Sequence, residues 1–123
     1  MFKSSYNKGF SMTFQNGLTI SVQWGVGNYC ERRSFTKSFM DDHSKQTVES
    51  PNAEIAIWNS KGTMFEFEHD QVKGFVDADE VAQWIELTKN AIHLHHIGHM
   101  ARMRGMMPPL EEKYVYPSTY KPE

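Results

Sequence analysis

Asn28, Tyr29, Arg32 and Arg33 stand within one short stretch of the chain. Tyr29 offers a flat face on which a base can stack. Asn28 carries both a donor and an acceptor for a base edge. Paired arginines fork onto phosphate oxygens. Together they read as a site for a small nucleotide-like anion. The competing reading is a solvated loop with one tyrosine packed on a sheet. Arg102 and Arg104, near a helix end, form a second candidate, and Asn90 is a further candidate ligand residue. Against the arginine pair stands plain surface charge, with the arginines complementing the negative end of a helix.

The histidines raise a different chemistry. His95 and His99 are four residues apart, a spacing that lets two imidazoles face one metal from a helix. Position 96 of the segment His95-His96-Ile97-Gly98-His99 is histidine, so the glutamate of a zinc-protease helix is missing. Surface or interface histidines are therefore the preferred reading, and no metal or cofactor is expected. Cys30 is the lone cysteine and reads as a small buried residue. Gly25-Val26-Gly27 lacks the third glycine and following helix of a dinucleotide fingerprint. Neither a phosphate-binding GxxxxGKS loop nor a GxSxG nucleophile elbow is present.

Such side chains need elements to hold them. Met12 to Gly25 reads as a β-hairpin. Asn16-Gly17 marks its tip as a type I′ turn, and Leu18, Ile20, Val22 and Trp24 alternate with polar residues. Residues 25–51 read as irregular, with a polar loop from Asp41 to Pro51. Ala53 to Phe67 reads as a second hairpin, turning at Asn59-Ser60-Lys61-Gly62 and returning over Thr63–Phe67. Its apolar face holds Ile55 and Ile57, and Trp58 faces outward. Val72–Val76 adds a short further strand. A helix starts at Asp77, whose carboxylate suits an N-cap, with Glu80 at capping-box spacing. Its stripe of Val81, Trp84, Ile85 and Thr88 extends through Ala91, Ile92, His95, His99 and Met103. Either one helix reaches Arg104 or Asn90 divides it in two. Gly105 and Pro108-Pro109 end the pattern. The expected fold is α+β. An antiparallel sheet of four or five strands is followed by one long or two shorter helices in a single domain, residues 1–110. An extended tail follows, residues 111–123.

Composition limits the function further. The 123 residues are 39% hydrophobic, 13% aromatic and 23% charged, a folded composition of single-domain size. The net charge of −2 is unevenly spread. Residues 1–40 carry net +4, residues 41–90 net −7 and residues 91–123 net +1. The basic excess of a duplex nucleic-acid binder is missing. No apolar run matches the roughly 20 residues of a membrane span. The expectation is a cytoplasmic protein without membrane or duplex partners. The stripe of Ile92, His95, His99 and Met103 exceeds what one small domain covers, which points to a homo-oligomer.

The segments Thr13–Gly17, Ile20–Gly25, Gly27–Cys30, Ala53–Trp58 and Asp79–Ile85 together resemble small phage accessory proteins. The chain is most similar to the type one Thoeris anti-defence family. That resemblance implies a phage-encoded, non-catalytic sponge, not an enzyme. It would sequester a cyclic ADP-ribose-type signal or a cyclic oligonucleotide as an oligomer with pockets between subunits. It supplies no ligand residues position by position. Two alternatives remain: a phage structural or host-protein interaction protein, using the Met-rich helix and Tyr-rich tail as contacts, and a metal-dependent enzyme.

Overall fold

A computed structural model describes residues 1–4, 9–25 and 49–110. Five strands form one sheet in the order β1-β2-β3-β4-β5, with every neighbouring pair antiparallel. They are β1 (Phe2–Ser4), β2 (Gly9–Thr13), β3 (Thr19–Gln23), β4 (Asn52–Trp58) and β5 (Lys73–Asp77). Two helices follow, α1 (Ala78–Asn90) and α2 (Leu94–Met103). The α+β expectation holds, with five strands and two helices. No described helix is long and apolar enough to cross a membrane.

Strand alternation sets the two faces of the sheet. Ile20, Val22, Ile55, Ile57 and Val76 point to one side and are buried in a single core with Trp84, Leu87 and Ile97. The β2–β3 hairpin is present, but its tip differs from the expected type I′ turn. The amide of Gly17 donates to Phe14 O (3.0 Å) and that of Phe14 to Leu18 O (2.9 Å). Gly17 alone adopts positive φ (85°), as in a three-residue hairpin loop that ends in a left-handed glycine.

The second hairpin is corrected. Asn59 closes its turn as expected, with Oδ1 accepting from Lys61 N (3.0 Å) and Thr63 N (2.8 Å). Thr63–Phe67, however, is not a strand. After Phe65 N donates to Ile57 O (2.8 Å), the chain leaves the sheet. Phe65 and Phe67 instead turn inward and pack edge to face, with ring centres 4.9 Å apart. Phe67 meets Trp84 of α1 at 5.1 Å, also edge to face. Burying two phenylalanines against a tryptophan outweighs a few ladder hydrogen bonds. Beside β4, on the side away from β3, lies β5, and β1 supplies the remaining strand.

Asp77 caps α1 as expected, accepting from Glu80 N at 2.8 Å. The reciprocal half of the capping box is absent: Glu80 Oε2 accepts from the Trp84 indole at 2.8 Å. The helix stops at Asn90, and α2 begins after a new N-cap, His93. That break changes the phase of the apolar stripe. Leu94, Ile97, Gly98 and Ala101 are the buried residues of α2. The anticipated stripe faces outward, with Ile92 71% and Met103 77% exposed and His95 and His99 also exposed.

Asn16, at the hairpin tip, closes the C-terminus of α1. Its Nδ2 donates to Thr88 O (2.8 Å), Ala91 O (2.9 Å) and Lys89 O (3.2 Å). These are carbonyls that a helix end leaves unpaired. At the end of α2 the chain reverses through Gly105 (φ 72°). Met106 N donates to Ala101 O (2.8 Å) and Gly105 N to Arg102 O (3.1 Å), the paired bonds of a Schellman motif. The reversal returns Met107 to the core and carries residues 107–110 past the face of α2.

Candidate functional site

Three segments enclose a cleft of about 660 Å³. Residues 63–69 form one wall, α2 the second, and residues 107–110 the third. The first wall follows from alternation. Phe65 and Phe67 point into the core, so Glu66 and Glu68 point away from it and are exposed. Both glutamates line the cleft, together with Thr63, Met64, Phe65 and His69. A tight turn ends this wall: Phe67 N donates to Asp70 O (2.7 Å) and Asp70 N to Phe67 O (2.9 Å). Glu68 sits in that turn with φ 52°. A left-handed conformation in a non-glycine residue costs about 1–3 kcal/mol and concentrates at functional sites.

The α2 wall presents Leu94, His95, Gly98 and Arg102, and the third wall Met107, Pro108, Pro109 and Leu110. Gly98 is what lets Arg102 sit as it does. A Cβ there would lie 2.8 Å from Arg102 Nη1 and 3.4 Å from the Phe65 ring. The guanidinium therefore lies back across Gly98, beside Phe65. Glycine inside a helix costs about 1 kcal/mol relative to alanine. Arg102 Nε is buried and makes no hydrogen bond. The ion pairs among the described residues are Lys73–Glu80 and Arg104–Glu86, and neither involves Arg102. A buried donor without a partner costs about 1–3 kcal/mol, so it calls for an explanation.

The structure places the expected residues unequally. Arg102 and His95 line the cleft. Arg104 instead bonds Glu86 across the helix pair at 3.3 Å. Asn90, the last residue of α1, is exposed and lines no part of the cleft. Asn28, Tyr29, Arg32, Arg33 and Cys30 lie outside the described residues. His99 is exposed and does not join His95 in the cleft wall. Among the described residues no group of three or more His, Cys, Asp or Glu side chains is placed to hold a metal ion. His93 and His96 have local duties. His93 Nδ1 accepts from His96 N (3.3 Å), and His96 Nδ1 accepts from Ile92 N (2.9 Å).

Sequence reasoning missed Glu66, Glu68 and His69. Their signal was the alternation Phe65-Glu66-Phe67-Glu68, which places two carboxylates on one side of an extended segment whichever partner it pairs with. Chemically, the cleft joins a donor-only guanidinium, acceptor-only carboxylates and an apolar floor of Phe65, Leu94 and Met107. Comparison of the chain with protein-family models, curated proteins and solved structures gives no match.

Proposed function

We propose that this chain is a non-catalytic binding protein whose cleft between residues 63–69, α2 and residues 107–110 takes up a small anionic ligand. The class proposed is a nucleotide-derived signal, of the cyclic ADP-ribose or cyclic oligonucleotide kind. The observation that carries the reading is Arg102: a guanidinium seated on Gly98 in the wall of a cleft, outside the ion pairs formed among the described residues. A volume of about 660 Å³ falls in the range of small-molecule sites, roughly 300–1,000 Å³. The apolar floor suits a base, and the guanidinium suits a phosphate. The resemblance to small phage proteins supports a sponge acting in the cytoplasm of an infected host. The outward Ile92 and Met103 support a homo-oligomer.

Calorimetry of the untagged protein with cyclic ADP-ribose and a cyclic dinucleotide tests the reading. A charge-assisted contact contributes roughly 1.5–3 kcal/mol, so Arg102→Ala weakens binding about tenfold to a hundredfold. Gly98→Ala, which displaces the guanidinium, weakens it in the same direction. The Arg32→Ala, Arg33→Ala double variant decides whether those arginines share in holding the phosphate. Binding that survives Arg102→Ala unchanged, or no binding by either nucleotide, refutes the assignment.

A further inference from the structure

The cleft is polarised. Arg102 stands on α2, and the two carboxylates, Glu66 and Glu68, stand on the facing segment. A guanidinium can only donate hydrogen bonds and an ionised carboxylate can only accept them. A ligand that satisfies both walls needs an acceptor-rich anionic end and, across the cleft, a donor-rich neutral end. In nucleotides the phosphate is the first, and the vicinal hydroxyls of the ribose, common to every base, offer the second. From this we infer that the cleft recognises a ribonucleotide through its 2′,3′-diol, held by Glu66 and Glu68, while Arg102 holds its phosphate. The inference rests on the binding reading above and adds the part of the ligand that is read.

Two observations single out Glu68. It lines the cleft, and it occupies a left-handed backbone position (φ 52°) where glycine is the unstrained choice. Neither Glu66 nor Glu68 forms an ion pair among the described residues. Among the described residues their acceptors are therefore not committed to a cation. The charge count restricts the ligand as well. Among the described lining residues, the histidines apart, one guanidinium faces two carboxylates, so each phosphate beyond the one at Arg102 meets net repulsion. A nucleoside triphosphate is disfavoured and a monophosphate preferred; of the two classes proposed above, cyclic ADP-ribose keeps a vicinal diol, whereas a 3′,5′-linked cyclic oligonucleotide does not.

The test uses adenosine 5′-monophosphate, its 2′-deoxy and 3′-deoxy analogues, and ATP, titrated into the full chain by calorimetry. The ribonucleotide binds at least tenfold tighter than either deoxy analogue and than ATP. Glu66→Gln with Glu68→Gln brings the ribo and deoxy affinities within about threefold of each other. Arg102→Ala weakens ribo and deoxy ligands equally and leaves their ratio intact. Circular dichroism and melting of each variant verify that it is folded. Nucleotide binding without ribose discrimination, or discrimination that survives the double glutamine variant, overturns this inference alone. Binding by a cyclic dinucleotide alone also overturns this inference and leaves the underlying reading standing; no binding by any of these nucleotides, by cyclic ADP-ribose or by a cyclic dinucleotide overturns both.

Discussion

Asn16 joins the hairpin tip to the end of α1, and replacing it separates two roles that one asparagine can play. Its Oδ1 accepts from Leu18 N at 3.0 Å, a turn contact. Its Nδ2 reaches three carbonyls of the α1 terminus, two of them within 2.9 Å. Two amide hydrogens make two full bonds. At about 0.5–1.5 kcal/mol each, and with the residue exposed enough for water to substitute in part, Asn16→Ala costs about 1–2 kcal/mol. Asn16→Asp is the sharper perturbation. It keeps the acceptor for Leu18 N and remains a good turn residue. It loses both donors and sets a carboxylate against the negative end of the helix dipole, which adds up to about 1 kcal/mol of repulsion. Aspartate is therefore worse than alanine, at about 2–3 kcal/mol. Urea denaturation followed by far-ultraviolet circular dichroism reads both variants. In thermal melts each kcal/mol corresponds to roughly 3–5 °C for a domain of this size. If Asn16→Asp matches the wild type, Asn16 acts through the turn alone and the long-range cap contributes nothing.

Two further outcomes follow from the same structure. Asp77→Ala lowers stability by about 1 kcal/mol by removing the acceptor for Glu80 N, whereas Asp77→Asn keeps most of it; a shared denaturation midpoint for wild type and Asp77→Ala counts against the cap. Ile92→Glu with Met103→Glu places charges on the exposed side of the α1–α2 connection and of α2, and is expected to convert the proposed homo-oligomer to monomer, as sedimentation at micromolar concentration reads; unchanged sedimentation removes that surface from any self-contact.

The parts of the fold that the sequence made legible are governed by local chemistry. Alternation from Leu18 to Trp24 and from Ala53 to Asn59 sets strand faces without reference to the rest of the chain. Asp77 announces a cap because its acceptor reaches an amide three residues on. The misreadings share another cause. Thr63–Phe67 has a strand's alternation, but Trp84, far along the chain, decides where Phe65 and Phe67 go. Asn16-Gly17 has the dipeptide of a two-residue turn. Yet in the structure the Asn16 amide reaches the α1 carbonyls, and only Gly17 takes the left-handed conformation. The stripe from Trp84 to Met103 is continuous in spacing. A break of three residues between α1 and α2 rotates its second half to the outside.

The cleft was half visible for the same reason. Arg102 stood out by type, but nothing local shows that Gly98, one turn earlier, makes its seat. Each of the two is unfavourable by itself: a glycine inside a short helix, and a buried guanidinium nitrogen without a partner. Glu68 adds a third local cost, in a left-handed turn on the opposite wall. Helix propensity alone would place alanine at position 98, and backbone conformation alone would place glycine at position 68. The Arg102–Gly98 seat is one arrangement and Glu68 a second, and two departures from local preference that line one cleft point to a shared demand on it. An anion at Arg102 with hydroxyl donors at Glu68 is a demand of that kind, since it needs the guanidinium laid across the helix and the carboxylate held at the turn.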